Sequence, residues 1–272
     1  MIGNMLEPHH ALAAANRSTP QTAPALRRVL VVGAGGVLGS AVVEQLLGSH
    51  RFQRVAALVD QPVQAAVKGF LAVPDNDAAL HALAADTALV VFDRARDAHR
   101  REVAFVRPLP EDLPQLAARL QAAGMCRLIV VVPHRASLLP MALQQGLATL
   151  DEAAVAGLGL EQLVFMRMAQ RAGPGRDAVA DQPSLPQRLA DWMLSQLHWM
   201  VPQREQPVQA ATVAKVAAAL ALLLPAARPG TRVLPAQLLW LAAQQRDVRD
   251  TVQAWLDGVA LPARLAPKPL RM

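Results

Sequence analysis

From Arg27 onward, short runs that are apolar at every position alternate with longer stretches whose apolar residues recur every three or four positions. The first pattern reads as strand buried on both faces, and the second as helix laid against a sheet. Strands are predicted at residues 29–32, 55–59, 70–73, 89–92, 128–132 and 163–166. Helices are predicted at 39–47, 77–85, 113–123 and 141–156, with Asp77 capping the second and Gly124 stopping the third. Regular alternation of this kind predicts an α/β fold, a doubly wound parallel sheet of Rossmann-like type. Such a sheet carries its ligand at the carboxyl ends of its strands.

The alternation breaks at residues 172–186, which are rich in Gly, Pro, Asp and Ser and read as a loop. Beyond it, helices are predicted at 187–200, 210–224 and 236–256, with a short strand at 232–234. Together they make a small, mostly helical C-terminal extension, so residues 172–258 are expected to form the substrate or lid part of a domain spanning 27–258. On the 187–200 helix, Leu189, Trp192, Met193, Leu197 and Met200 share one face. That stripe suits core, a pocket lid or the face of a homodimer. Residues 1–26 and 259–272 lack apolar periodicity and are expected to be a disordered leader and tail.

Composition narrows the picture. The chain has 272 residues and is 53% hydrophobic, much of it alanine, with a net charge of +6. Cys126 is its only cysteine, which excludes an internal disulfide and a cysteine metal cluster. The densest arginine group (Arg94, Arg96, Arg100, Arg101, Arg107) is interleaved with Asp93, Asp97 and Glu102 and reads as a self-paired solvated face. No nucleic acid is therefore expected as a partner. The most apolar window, 213–224, is too short to span a bilayer and contains Lys215, so a soluble, cytoplasmic protein is expected, with no membrane partner. His81, His99 and His198 are isolated in sequence, and no metal site is expected.

The candidate chemistry lies where the first strand runs into the first helix, at Gly33-Ala34-Gly35-Gly36-Val37-Leu38-Gly39. Gly33 permits a tight turn off the strand, and Gly36 permits the backbone to approach a pyrophosphate. Gly39 allows close packing of the helix, whose free N–H groups face the anion. Asp60 ends the second strand, 21 residues past Gly39, where a carboxylate accepts hydrogen bonds from ribose hydroxyls. A 2′-phosphate about 4 Å from that charge would be repelled by about 4 kcal/mol at an effective dielectric near 20. NAD is thus favoured over NADP. The charge argument leaves two alternatives open: Asp60 caps the turn before Pro62, or Arg51 or Arg54 swings over and reverses the preference.

These features resemble the short-chain dehydrogenase/reductases, and within them the atypical NAD(P)H-binding group that includes the Tat-interacting-protein-like proteins. The likeness runs from about Arg27 to Leu239. It rests on the glycine turn, on Ala123-Gly124-Met-Cys-Arg-Leu-Ile-Val-Val-Val132, on Gly159-Leu-Glu-Gln-Leu-Val-Phe-Met-Arg167 and on Gln209-Ala-Ala-Thr-Val-Ala-Lys-Val-Ala. It implies that Asp75 contacts the adenine edge. Asp60 and Gln61 stand where NADP-using members place arginines, in keeping with the charge argument.

The catalytic positions depart from that pattern. The family's serine position reads Val132-Pro133-His134, and Met141 and Gln145 stand where its tyrosine and lysine belong. The chain contains no tyrosine, so no shift of alignment restores the acid/base. Its loss removes the ~10²- to 10⁴-fold that general acid–base help supplies. The turn after the fourth strand reads Phe92-Asp93-Arg94-Ala-Arg96, without the glycine usual beside the nicotinamide. The expectation is a dinucleotide-binding protein without standard catalysis, acting as a cofactor-responsive binding or regulatory module. The alternative is an oxidoreductase or epimerase-like enzyme in which His134 protonates an alkoxide and Ser137 orients a carbonyl. A third reading, an interaction protein without cofactor, draws on the charged turn after Phe92.

Overall fold

The computed structural model describes residues 27–63, 67–93, 102–134, 149–169, 208–245 and 247–259. Its strands are β1 (Arg27–Val32), β2 (Phe52–Val59), β3 (Phe70–Pro74), β4 (Thr87–Val91), β5 (Arg127–His134), β6 (Gln162–Ala169) and β7 (Gly230–Leu234). They form one sheet in the order β3-β2-β1-β4-β5-β6-β7, and every neighbouring pair is parallel. The described helices are α1 (Val37–Gly48), α2 (Asp77–Leu83), α3 (Leu113–Ala122), α4 (Leu150–Ala156), α5 (Ala210–Leu223), α6 (Ala236–Gln244) and α7 (Val248–Leu256).

The all-apolar strands end up buried on both faces because successive side chains point to opposite sides of the sheet. In β1, Val29 and Val31 face one core, with Leu38, Val42 and Leu46 of α1 and Val213, Val216 and Leu220 of α5. Leu30 and Val32 face the other, with Leu80 of α2, Leu116 and Leu120 of α3 and Val155 of α4. The strand order reverses direction between β1 and β4, and such a switch point is where doubly wound sheets carry a ligand, at the carboxyl ends of their strands. The α/β, doubly wound, Rossmann-like expectation holds.

Local geometry corrects several predicted boundaries. Asn76, not Asp77, caps α2: its side-chain oxygen accepts from the Ala79 amide at 2.8 Å. A helix running through 141–156 is excluded, because Thr149 is extended (φ −130°, ψ 160°) and starts α4, accepting from the Glu152 amide at 3.1 Å. The single helix predicted over 236–256 is two helices. Gln245 is extended (φ −89°, ψ 148°), and Asp247 opens α7 by accepting from the Arg249 amide at 2.8 Å. Short polar side chains won each of these contests by offering the backbone a cap in place of another helical turn.

Within residues 172–258, β7 extends the sheet beside β6, while α5 packs on α1 and β5. The predicted helix at 187–200 and its apolar stripe lie outside the described residues, as do 1–26 and 260–272. Among the described residues, no helix is long and apolar enough to cross a membrane, and no group of three or more His, Cys, Asp or Glu could hold a metal ion.

Candidate functional site

The glycine turn has the predicted shape. Gly33 leaves β1 at φ +87°, a conformation that disfavours any residue with a Cβ, and it packs against the Val91 backbone and Pro108. Gly39, in the first turn of α1, lies so close to Gly33 and Ala34 that a Cβ there would come within 2.9 Å of the Ala34 Cα. Gly36 is the N-cap residue of α1 and offers no side-chain cap of its own. The N-terminus of a twelve-residue helix therefore lies at the switch point of the sheet. Its free N–H groups and the positive end of its dipole favour an anion there.

An anion belonging to the chain is already seated at that end. Asp93, two residues past the end of β4, accepts a hydrogen bond from the Leu38 amide through Oδ2 at 2.6 Å. A Cβ added to Gly36 would fall 2.8 Å from both Cβ and Cγ of Asp93, so the space in front of Gly36 is taken by this side chain. An anion as large as a pyrophosphate does not fit in front of Gly36 while Asp93 stays. An open cradle at 33–39 was expected, and this is a correction. The missing glycine after Phe92 was the signal in the sequence, although nothing local says where the aspartate that replaces it will reach.

Residues 102–106, also between β4 and α3, lie at the carboxyl end of β2. After the 3₁₀ turn Glu102–Ala104, Phe105 bridges antiparallel to Val59 at the end of β2. The amides of Asp60 and Gln61 donate to the Ala104 carbonyl at 2.9 and 3.3 Å, and the Val106 amide donates to the Leu58 carbonyl at 3.1 Å. Residues 102–106 thus form a strap over the end of β2, with Phe105 and Val106 packed against the two cores. Asp60 and Gln61 sit beneath it with exposed side chains. Arg54 pairs in register with Arg28 at the opposite end of β2, and Arg51 precedes the strand. Five residues of strand, 55–59, lie between Arg54 and Asp60 and set them roughly 20 Å apart, so neither arginine can swing over to reverse the charge there.

Asp75, expected at the adenine edge, lies just past the end of β3 and pairs with Arg119 of α3 at 3.0 Å. Arg119 also holds Asp77 at 3.0 Å. Burial works to lower the Arg119 pKa, but the hydrogen bonds and charges of the two aspartates outweigh it, and the guanidinium is raised above its ordinary value. This residue was not singled out in the sequence; on α3 it reads as an ordinary exposed cation.

The catalytic candidates are less well placed for description. His134 ends β5 opposite Ala169 of β6, at the carboxyl edge of the sheet. Ser137, Met141 and Gln145 lie outside the described residues. Near that edge a buried ion pair joins Arg167 of β6 to Glu152 of α4 at 2.9 Å, with side chains 3% and 6% exposed. Arg167 stands beside Val132 of β5 in the sheet register. Sequence reasoning had only placed Arg167 at the end of a motif.

A seven-stranded parallel sheet with a glycine turn at its switch point defines a Rossmann-like protein. No protein-family model and no curated protein matches the sequence. Among solved structures, it is similar to uronate dehydrogenase from Agrobacterium tumefaciens, at 14% identity over 90% of this chain and 92% of that one, with a TM-score of 0.46. It is also similar to an oxidoreductase of the short-chain dehydrogenase/reductase family from Burkholderia thailandensis (18% identity, 80% and 96% covered, TM-score 0.41). A third is a Rossmann-fold NAD(P)-binding family protein from Shigella flexneri (17% identity, 63% and 86% covered, TM-score 0.35). Likeness at this level carries no argument about chemistry, and the fold class rests on the strand order.

Proposed function

We propose that this chain is a nicotinamide-dinucleotide-binding protein of the short-chain dehydrogenase/reductase type, resembling its atypical branch, and works as a cofactor-responsive binding or regulatory module. The observation that carries the reading is the glycine turn, with Gly33 at φ +87° and α1 starting immediately after Gly36. Once Asp93 has moved aside, the amides at 36–38 would hold the pyrophosphate, Asp60 the adenosine ribose and Asp75 the adenine edge. With no tyrosine in the chain, the usual acid/base is missing, which supports binding in place of standard turnover. NAD is preferred to NADP because Asp60 stands exposed at the end of β2 with Arg51 and Arg54 far from it.

Calorimetry with NAD, NADH, NADP and NADPH on the full chain tests this reading. Saturable binding of NAD or NADH is expected, with Asp60→Ala narrowing the gap to the phosphorylated forms. A second reading is favoured by the Asp93–Leu38 hydrogen bond: the carboxylate stays, and the fold serves without a nucleotide. The two readings separate in a melting experiment. A ligand at 100 times its Kd adds about 2.7 kcal/mol of stability, whereas a fold closed to nucleotides melts unchanged.

A further inference from the structure

We propose that the protein carries a second binding site, at the end of β2 remote from Asp60, for a small amphipathic anion: one negatively charged head on an apolar chain. The site needs no nucleotide and stands apart from the dinucleotide reading.

A cavity of about 800 Å³ lies there, between the end of α1, the first residues of β2 and the turn at 67–70 that leads into β3. Strand pairing explains the gap. β2 begins at Phe52, but its ladder to β3 starts only at Val55, opposite Phe70. On the other side the register with β1 skips Gln53, since Arg27 pairs with Phe52 and Arg28 with Arg54. The space left beside the start of β2 is bounded by a turn. The Val55 amide donates to the Gly69 carbonyl at 2.8 Å, and the Phe70 amide to the Val67 carbonyl at 3.1 Å. Gly69 allows that turn with φ +86°. Sites for small molecules span about 300–1,000 Å³, so this one is large enough to take a ligand.

The lining indicates what kind. Leu47, Phe52 and Phe70 are half-buried against the core, and Val67 is 56% exposed, so the wall is apolar. His50, Arg54 and Lys68 also line the cavity, each exposed, and no Asp or Glu is among the described lining residues. His50 sits at φ +52°, a conformation that glycine adopts more easily, so the chain places an imidazole where strain alone would favour none. Elsewhere Arg119, Arg127 and Arg167 each hold a carboxylate of the chain. Among the described residues, His50, Arg54 and Lys68 make no ion pair and no side-chain hydrogen bond. Apolar surface ringed by unpaired cations is complementary to an anion with an apolar body: the wall takes the chain and the rim takes the head.

The test is calorimetry on the full chain without nucleotide, using butanoate, hexanoate, octanoate and the neutral octanamide as probes. Saturable octanoate binding is expected, with affinity rising about threefold per added methylene as the chain leaves water. Octanamide should bind about tenfold more weakly than octanoate. Exposed charge pairs contribute modestly each, so the double variant Arg54→Gln/Lys68→Gln should lose about tenfold in octanoate affinity. A Cβ at Gly48 meets nothing within 4 Å, so Gly48→Phe can fill the cavity without a clash at its root and should abolish binding. Circular dichroism and melting of each variant check that the fold is kept. Equal affinity for butanoate and octanoate, equal affinity for octanoate and octanamide, or a double variant that binds like wild type overturns the proposal. So does an absence of saturable binding; if sedimentation then shows a dimer that Gly48→Phe disperses, the cavity belongs to a second copy of the chain.

Discussion

Asp93 and Leu38 are 55 positions apart, yet the carboxylate of one caps the helix that begins beside the other, at 2.6 Å. The N-cap residue of that helix is a glycine and has nothing to offer the free amides of the first turn. A side chain from the end of the adjacent strand supplies the missing acceptor. A cap of this kind is typically worth about 1 kcal/mol. Asp93→Ala should therefore lower the unfolding free energy by about that amount in urea titration. A variant as stable as wild type would show that the carboxylate is not acting as a cap.

Gly33→Ala should be far more harmful than Gly124→Ala. Both glycines have positive φ, +87° and +94°, so both substitutions incur the left-handed penalty of about 1–2 kcal/mol. At Gly124 a new Cβ meets nothing within 4 Å, but at Gly33 it runs into the Val91 backbone. The expected outcome is a soluble, modestly weakened Gly124→Ala, and a Gly33→Ala that loses several-fold more stability. Equal midpoints in denaturant would contradict the close packing of the turn on β4.

Glu152→Ala leaves the guanidinium of Arg167 in a site where its side chain is only 3% exposed. Breaking a buried pair from one side costs about 3–5 kcal/mol, whereas replacing both partners with apolar residues of similar size is often near neutral. The double variant Glu152→Leu/Arg167→Met should recover most of what Glu152→Ala loses. Chemical denaturation of the two proteins decides it: if the double variant is the weaker, the charges contribute more than mutual neutralisation.

Cys126 should be a slow nucleophile at neutral pH. Burial raises its thiol pKa, a hydrogen bond with Glu161 adds to this, Arg127 pulls the other way, and the charges of Glu161 and Asp86 raise it further. Because folding favours the neutral thiol, the stability tied to it is complete below the ordinary thiol pKa and is lost as pH rises through the higher folded value. Alkylation by iodoacetamide should lag behind that of the urea-unfolded chain, and the folded rate should climb only at more alkaline pH. Matching rates at pH 8 would refute the shielding.

The elements that depend on neighbours along the chain were legible from the residues themselves. Runs such as 29–32 and 128–132, apolar at every position and set between helical stretches, read as strands covered on both sides. Gly33, Gly36 and Gly39 announced a tight turn with close approach, because their spacing has one economical geometry. Tertiary packing decided the rest, because it brings together groups whose separation in sequence carries no periodic signal. It laid Asp93 in front of Gly36, drew residues 102–106 across the end of β2, gave Asp75 to Arg119, and buried Arg167 against Glu152. Hydrophobic periodicity determines which face of a segment is buried, but a single carboxylate reaching a single amide depends on how two strand ends lie side by side, and that exists only once the sheet has formed.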